Sequence, residues 1–215
     1  MFLNGLGRGF GKGLGRVLVL LVGVLLFSIA AAADRPVLLI FGDSLSAGYR
    51  LPADKAWPAL LEKQLAQGSK PYRVINASVS GETTAGGLTR FPAALKQHQP
   101  KVVLIELGSN DGLRGLPLDK AKANLEAMVK LAKASGAKVQ LLGMQLPPNY
   151  GPDYTLRFAG MYEDIAKSQR VGLTPFLLAP IIQRPDWFQS DQLHPTAEAG
   201  PSIAQMVARD IRSLL

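Results

Sequence analysis

From residue 34 onward the chain alternates between short apolar runs and longer amphipathic stretches. Val37 to Phe41, Arg73 to Asn76, Val102 to Leu107, Val139 to Gly143 and Leu173 to Phe176 read as buried strands, being short and mostly β-branched or leucine-rich. Between them lie helical patterns. Trp57 to Ala66 stops before Gly68, Gly87 to Gln97 is broken by Pro92, and Asp119 to Ala134 stops before Gly136. Glycines just past the last periodic residue suit helix ends. Tyr154 to Arg170 and Ala197 to Leu214 complete the set. Strands that alternate with helices predict an α/β fold with a parallel five-stranded sheet covered on both faces, because every parallel crossover must travel back over the sheet. No internal repeat, low-complexity segment or linker interrupts the pattern after Ala33.

The first 33 residues differ from the rest. Arg8, Lys12 and Arg16 lie in a glycine-rich start, followed by an apolar stretch from Val17 to Ile29 and then by Ala30 to Ala33. A basic region, a short apolar core and small residues at Ala31 and Ala33 predict a secretory signal peptide over 1–33, cleaved after Ala33. The alternative is an uncleaved membrane anchor, since Val17 to Ala33 lies near the lower length limit for a span. Cleavage would leave 34–215 as one domain, exported to the periplasm or beyond the cell.

The formal charge of the whole chain is +8, but three of its 24 basic residues fall in the first 33, and the remaining excess is dispersed. Without a basic run or aromatic-basic interleaving, nucleic-acid binding is not expected; transient contact with an anionic membrane surface is compatible with the charge. The absence of cysteine excludes disulfides and thiolate metal sites.

In a parallel sheet, functional groups gather beyond the carboxyl ends of the strands. Three polar clusters fall there: Gly42-Asp43-Ser44, Ser78 to Glu82, and Gly108-Ser109-Asn110-Asp111. A fourth, Asp191-Gln-Leu-His194-Pro195, precedes the last helix. Together they offer a serine nucleophile, a histidine base and a carboxylate to orient that base, the set needed to hydrolyse an acyl bond. The chain has two histidines, and His98 lies in a polar helix end, so His194 is the candidate base for Ser44. Asp191, three residues before His194, is the candidate acid, with Asp43 and Asp111 as rivals. Negative charge on the attacked carbonyl oxygen needs fixed donors. The backbone N–H groups of Ser44 and Gly81 and the side-chain amide of Asn110 can supply them, because glycine admits close approach and asparagine donates while staying neutral.

Other chemistries lack their signatures. There is no Gly-x-Ser-x-Gly elbow, no Gly-x-Gly-x-x-Gly after a strand and no phosphate-binding loop of the nucleotide-hydrolase type. Two isolated histidines and no cysteine disfavour a zinc site. Asn76-Ala-Ser78 fits a glycosylation pattern but sits at a strand end, which points to a structural role. Leu113, Leu116, Pro117 and Leu118 after the third strand, with Met144, Leu146, Pro147 and Pro148 after the fourth, place apolar side chains beside the reacting carbonyl. Medium or long acyl chains are expected to be preferred over acetyl.

The four clusters resemble the GDSL or SGNH hydrolase family, whose named residues correspond to Ser44, Gly81, Asn110 and His194, with Asp191 as the triad acid. The resemblance runs from Leu38 to the final helix. It extends to Phe41-Gly-Asp-Ser-Leu-Ser-Ala-Gly-Tyr-Arg50, Ala56-Trp-Pro-Ala-Leu-Leu61, Glu106-Leu-Gly-Ser-Asn-Asp-Gly-Leu-Arg-Gly115 and Leu146-Pro-Pro-Asn-Tyr-Gly151. These stretches are similar to the family's periplasmic acyl thioesterases, arylesterases and lysophospholipases. The resemblance implies a flavodoxin-like three-layer α/β/α fold and a serine mechanism without metal or cofactor. It also implies a mobile acyl-site loop at 112–117. Small acyl esters, thioesters or lysophospholipids are the expected substrates, and a monomer is the expected state. A carbohydrate O-deacetylase or a non-catalytic acyl or lipid carrier on the same scaffold are the alternatives.

Overall fold

A computed structural model describes Met1, residues 35–68 and residues 71–215. The signal-peptide reading of residues 1–33 therefore lies outside the described residues, apart from Met1. Residues 36–215 form a compact unit.

Five strands make one wholly parallel sheet in the order β2-β1-β3-β4-β5: β1 (Val37–Gly42), β2 (Arg73–Asn76), β3 (Val102–Glu106), β4 (Lys138–Leu142) and β5 (Gly172–Thr174). Leu39 pairs with Ile75 on one side and Val103 on the other, so β1 is an interior strand. Buried on both faces, β1 and β3 carry unbroken apolar runs that end in Gly42 and Glu106. The strand order reverses at β1. With right-handed crossovers, that reversal sends the β1-to-β2 connection over one face of the sheet and the following three over the other.

The helices are α1 (Ser44–Ala47), α2 (Trp57–Ala66), α3 (Thr84–His98), α4 (Ser109–Leu113), α5 (Leu118–Ala134), α6 (Pro152–Gln169) and α7 (Gly200–Asp210). In keeping with the reversal, α2 packs against α7, while α3 packs on α5 and α5 on α6. One core of fully buried side chains, including Leu38, Phe41, Leu61, Leu104, Phe158 and Tyr162, joins the sheet to both layers. Two consecutive crossovers on opposite faces leave a crevice at the carboxyl ends of β1 and β3.

Several elements differ from the expectations. The helix expected from Gly87 begins at Thr84 and runs unbroken through Pro92 to His98. Thr83 caps it by accepting the Gly86 N–H, and buried Phe91, Ala94 and Leu95 anchor it around the proline. The polar cluster at Gly108 to Asp111 winds into the short helix α4. The single helix expected over Ala197 to Leu214 is a 3₁₀ turn at Ala197–Ala199, then α7, then a second 3₁₀ turn at Arg212–Leu214. Strand β5 ends at Thr174, just before Pro175, which has no N–H to extend the ladder.

Candidate active site

Ser44 opens α1 directly after β1. Asp43 makes that turn: its Oδ1 accepts the Leu45 N–H at 3.1 Å as an N-cap, and its own N–H donates to the Glu106 carbonyl at 3.2 Å. The result is a serine at the strand end, half-buried and facing the crevice.

His194 arrives from the opposite end of the chain. Its segment is an irregular clasp in which Phe188 bridges Pro195, Gln189 N–H donates to the His194 carbonyl at 2.7 Å and Thr196 N–H donates to the Trp187 carbonyl at 2.8 Å. The Gln189 amide ties the clasp to the α1 side by donating to the carbonyls of Tyr49 at 2.8 Å and Pro195 at 2.9 Å. The Tyr49 ring packs against the imidazole, centroid to centroid 4.5 Å. In this setting Nε2 of His194 lies 2.8 Å from Ser44 Oγ, and Nδ1 lies 2.8 Å from Asp191 Oδ2. With its proton on Nδ1 the ring donates to Asp191 and accepts from the serine hydroxyl. Asp191 Oδ1 accepts the N–H groups of Leu193 and His194, each at 3.0 Å. Partial burial pushes the Asp191 carboxyl up, but those N–H groups, the imidazole hydrogen bond and the imidazole charge outweigh it and hold the group at about 2.

Of the three acids weighed from the sequence, Asp191 touches the imidazole. Asp43 and Asp111 brace the neighbouring turns. Asp43 Oδ2 accepts from Asn110 Nδ2 at 3.1 Å, and Asp111 accepts the Thr84 N–H at 2.9 Å and the Thr84 hydroxyl at 2.6 Å. Gly81 has φ +81°, a left-handed conformation that favours glycine, and its turn is gripped by Arg90, which donates to the Ala77 carbonyl at 2.7 Å and to Glu82. Ser44, Gly81 and Asn110 thus stand at the ends of β1, β2 and β3. Asn76, from the glycosylation pattern, is committed internally: its amide donates to the Ser46 carbonyl at 2.7 Å.

Beneath the site lies an acid that the motif reading passed over. Glu106 is fully buried under the nucleophile turn. Its Oε2 accepts the Ser46 hydroxyl at 2.7 Å and the Asp43 N–H at 3.2 Å, while Oε1 has no partner. A side chain at Gly42 would put its Cβ 2.6 Å from Oε2, so glycine there makes room for the acid. Burial, reinforced by the Asp43 charge, pushes the Glu106 carboxyl well above the usual range. Burial also raises Asp43, to about 6, against the opposing pull of the Leu45 N–H, the His194 charge and the Asn110 amide. The visible signal for Glu106 was a lone acid closing an otherwise apolar strand.

A cavity of about 540 Å³ opens beside Ser44 and His194. Leu113 and Leu146 line it, with Met144, Pro147 and Pro148. Leu116 and Pro117 do not: both are exposed, and Leu118 turns into the core at the start of α5. The left-handed turn at Gly115, φ +65°, separates them from the cavity wall at Leu113. The rest of the wall comes from the irregular segment after β5, through Phe176, Leu178, Ile182, Phe188 and Leu193, which the sequence reading did not include.

Residues 40–199 match the GDSL-like Lipase/Acylhydrolase family. An arylesterase of Vibrio mimicus is 47% identical over 189 residues, spanning 87% of this chain and 94% of that protein. Thioesterase 1/protease 1/lysophospholipase L1 of Escherichia coli (strain K12) is 45% identical over 192 residues, 89% of this chain and 90% of that one. The crystal structure of TesA superposes with a TM-score of 0.81 at 45% identity, covering 83% of this chain and 99% of its own. Sequence and structural likeness agree: the chain belongs to the GDSL-like lipase/acylhydrolase family, and by kinship it is an ester and thioester hydrolase.

Proposed function

We propose that this protein is an exported serine hydrolase that cleaves medium- or long-chain acyl esters and thioesters, lysophospholipids among them, through Ser44, His194 and Asp191. The observation that carries the proposal is a hydrogen-bonded serine–imidazole–carboxylate relay opening onto a largely apolar cavity. In the cycle, Ser44 Oγ attacks the acyl carbon as His194 Nε2 takes its proton. The oxyanion is met by the N–H groups of Ser44 and Gly81 and by the Asn110 amide. The carbonyl re-forms, the leaving alcohol or thiol departs with the proton from His194, and water activated by the same imidazole releases the acid and restores the serine.

The vernier of chain length is the cavity. A methylene fully buried between Leu146, Phe176 and Ile182 contributes about 0.8 kcal/mol, so burial of about two of the extra methylenes of an octanoyl donor would raise kcat/KM about tenfold over acetyl. Matched acetyl, octanoyl and palmitoyl donors, each as an aryl ester and a coenzyme A thioester, test this. Acetyl favoured with every leaving group would identify an O-deacetylase. Failure of a phosphonate probe to label Ser44 would identify a carrier. Export rests on the composition of residues 1–33, and a periplasmic form beginning at Asp34 is the expected product.

A further inference from the structure

We infer that Arg114 is a positioning residue of the oxyanion site, spanning the segments after β2 and β3 so that Gly81 and Asn110 act as one preorganised pair. The inference builds on the reading of those two residues as oxyanion donors.

Arg114 closes α4, where its N–H donates back to the Asn110 and Gly112 carbonyls. Its exposed side chain reaches across the crevice, and Nη2 donates to the Gly81 carbonyl at 3.1 Å and to Asn110 Oδ1 at 3.4 Å. On the other side of the same amide, Nδ2 donates to Asp43 Oδ2. The Asn110 amide is therefore held between a cation on its oxygen and a carboxylate on its nitrogen. Turning it over would set oxygen against carboxylate and NH₂ against guanidinium. One N–H stays uncommitted, free for an oxyanion.

Gly81 needs such a tether more than Asn110 does. It is exposed, it has no side chain to pack, and the nearest atom to a Cβ built there would be Arg114 Nη2 itself, at 3.7 Å. Arg90 grips this turn at Ala77 and Glu82, on either side of Gly81, and lies over the Phe41 ring, so it does not reach Gly81 itself. The buried bond between Asp111 and Thr84 joins the same two segments lower down. It sets where α3 and α4 begin, but it does not touch either donor. Among the described residues Arg114 has no carboxylate partner, so its charge is directed at the two neutral oxygens. Donors aimed in advance at a developing charge accelerate the chemical step more than they tighten ground-state binding.

Arg114→Ala and Arg114→Lys test the inference on the purified enzyme with an aryl octanoate and with octanoyl coenzyme A. The expected result for Arg114→Ala is a loss of about tenfold in kcat with both donors, KM within about twofold, and an unchanged melting temperature because the side chain is exposed. Lysine, a single-point donor, should recover only part of the loss. In an Asn110→Ala background the Arg114→Ala loss should shrink, since the two act through one amide. An unchanged kcat in Arg114→Ala, in an enzyme whose Ser44 is still labelled by a phosphonate, overturns the inference and leaves the serine-hydrolase reading standing. A rise in KM confined to the coenzyme A donor also overturns it, by making Arg114 a phosphate-binding residue. A fall in melting temperature that tracks the loss of kcat overturns it in favour of a structural brace.

Discussion

Two of the acids around Ser44, Asp191 and Asp43, are pushed in opposite directions by their surroundings. Asp191, held at about 2, stays ionised throughout the physiological range and keeps the imidazole oriented. Replacing Ser44 or His194 by alanine should cost on the order of a million-fold in turnover and leave the fold intact, whereas Asp191→Asn should cost roughly a thousand- to ten-thousand-fold. Steady-state kinetics with circular dichroism checks both. Asp43 works the other way. Its folded value of about 6 lies above the ordinary 3.8, so between those values the folded protein holds a proton that the unfolded chain has released. Stability therefore declines as pH rises through that window, while the charge that grips the Asn110 amide appears only toward its upper end. The expected outcome is a kcat that falls as pH drops through about 6, and an Asp43→Asn variant whose melting temperature declines less than that of the wild type from pH 4 to 7. At this scale Ser44, His194 and Asp191, which the structure joins in one hydrogen-bonded chain, were legible in the sequence because each lies in a compact polar motif. The pairing of Asp43 with Asn110 was not, since its partners lie 67 positions apart and carry no periodic signal.

Elements show where patterning succeeds and where it stops. The central strands were readable because both faces are buried, which makes the run apolar without alternation. Pro92 misled because proline speaks for local backbone preference, and here capping and core packing on both sides of it prevail. Five-residue α4 is too short to display a helical period, and the segment after β5, which builds the far side of the cavity, has none. The join between α3, α4 and α5 was equally invisible. There Asp111 accepts from Thr84, whose hydroxyl in turn accepts from Asn124 at 3.1 Å. Thr84→Val should leave a buried carboxylate and an amide short of a partner, at about 1–3 kcal/mol in unfolding free energy measured with denaturant.

For the molecule as a whole, the decisive fact is where the two residues proposed to react lie in the chain. Ser44 and His194 are separated by 150 positions, and their meeting depends on a clasp with little regular structure of its own. Contacts so distant are costly to close early in folding. Burial of Trp57 in the core should accordingly precede recovery of phosphonate labelling during refolding, a lag readable by comparing fluorescence with timed labelling in a Trp187→Phe variant, which removes the clasp's own tryptophan; simultaneous recovery would show that the clasp docks with the core. On the proposed mechanism, completion of the chain then works as a safety catch: a polypeptide stopped short of Asp191 would have its strands and Ser44 but no imidazole to take the serine proton.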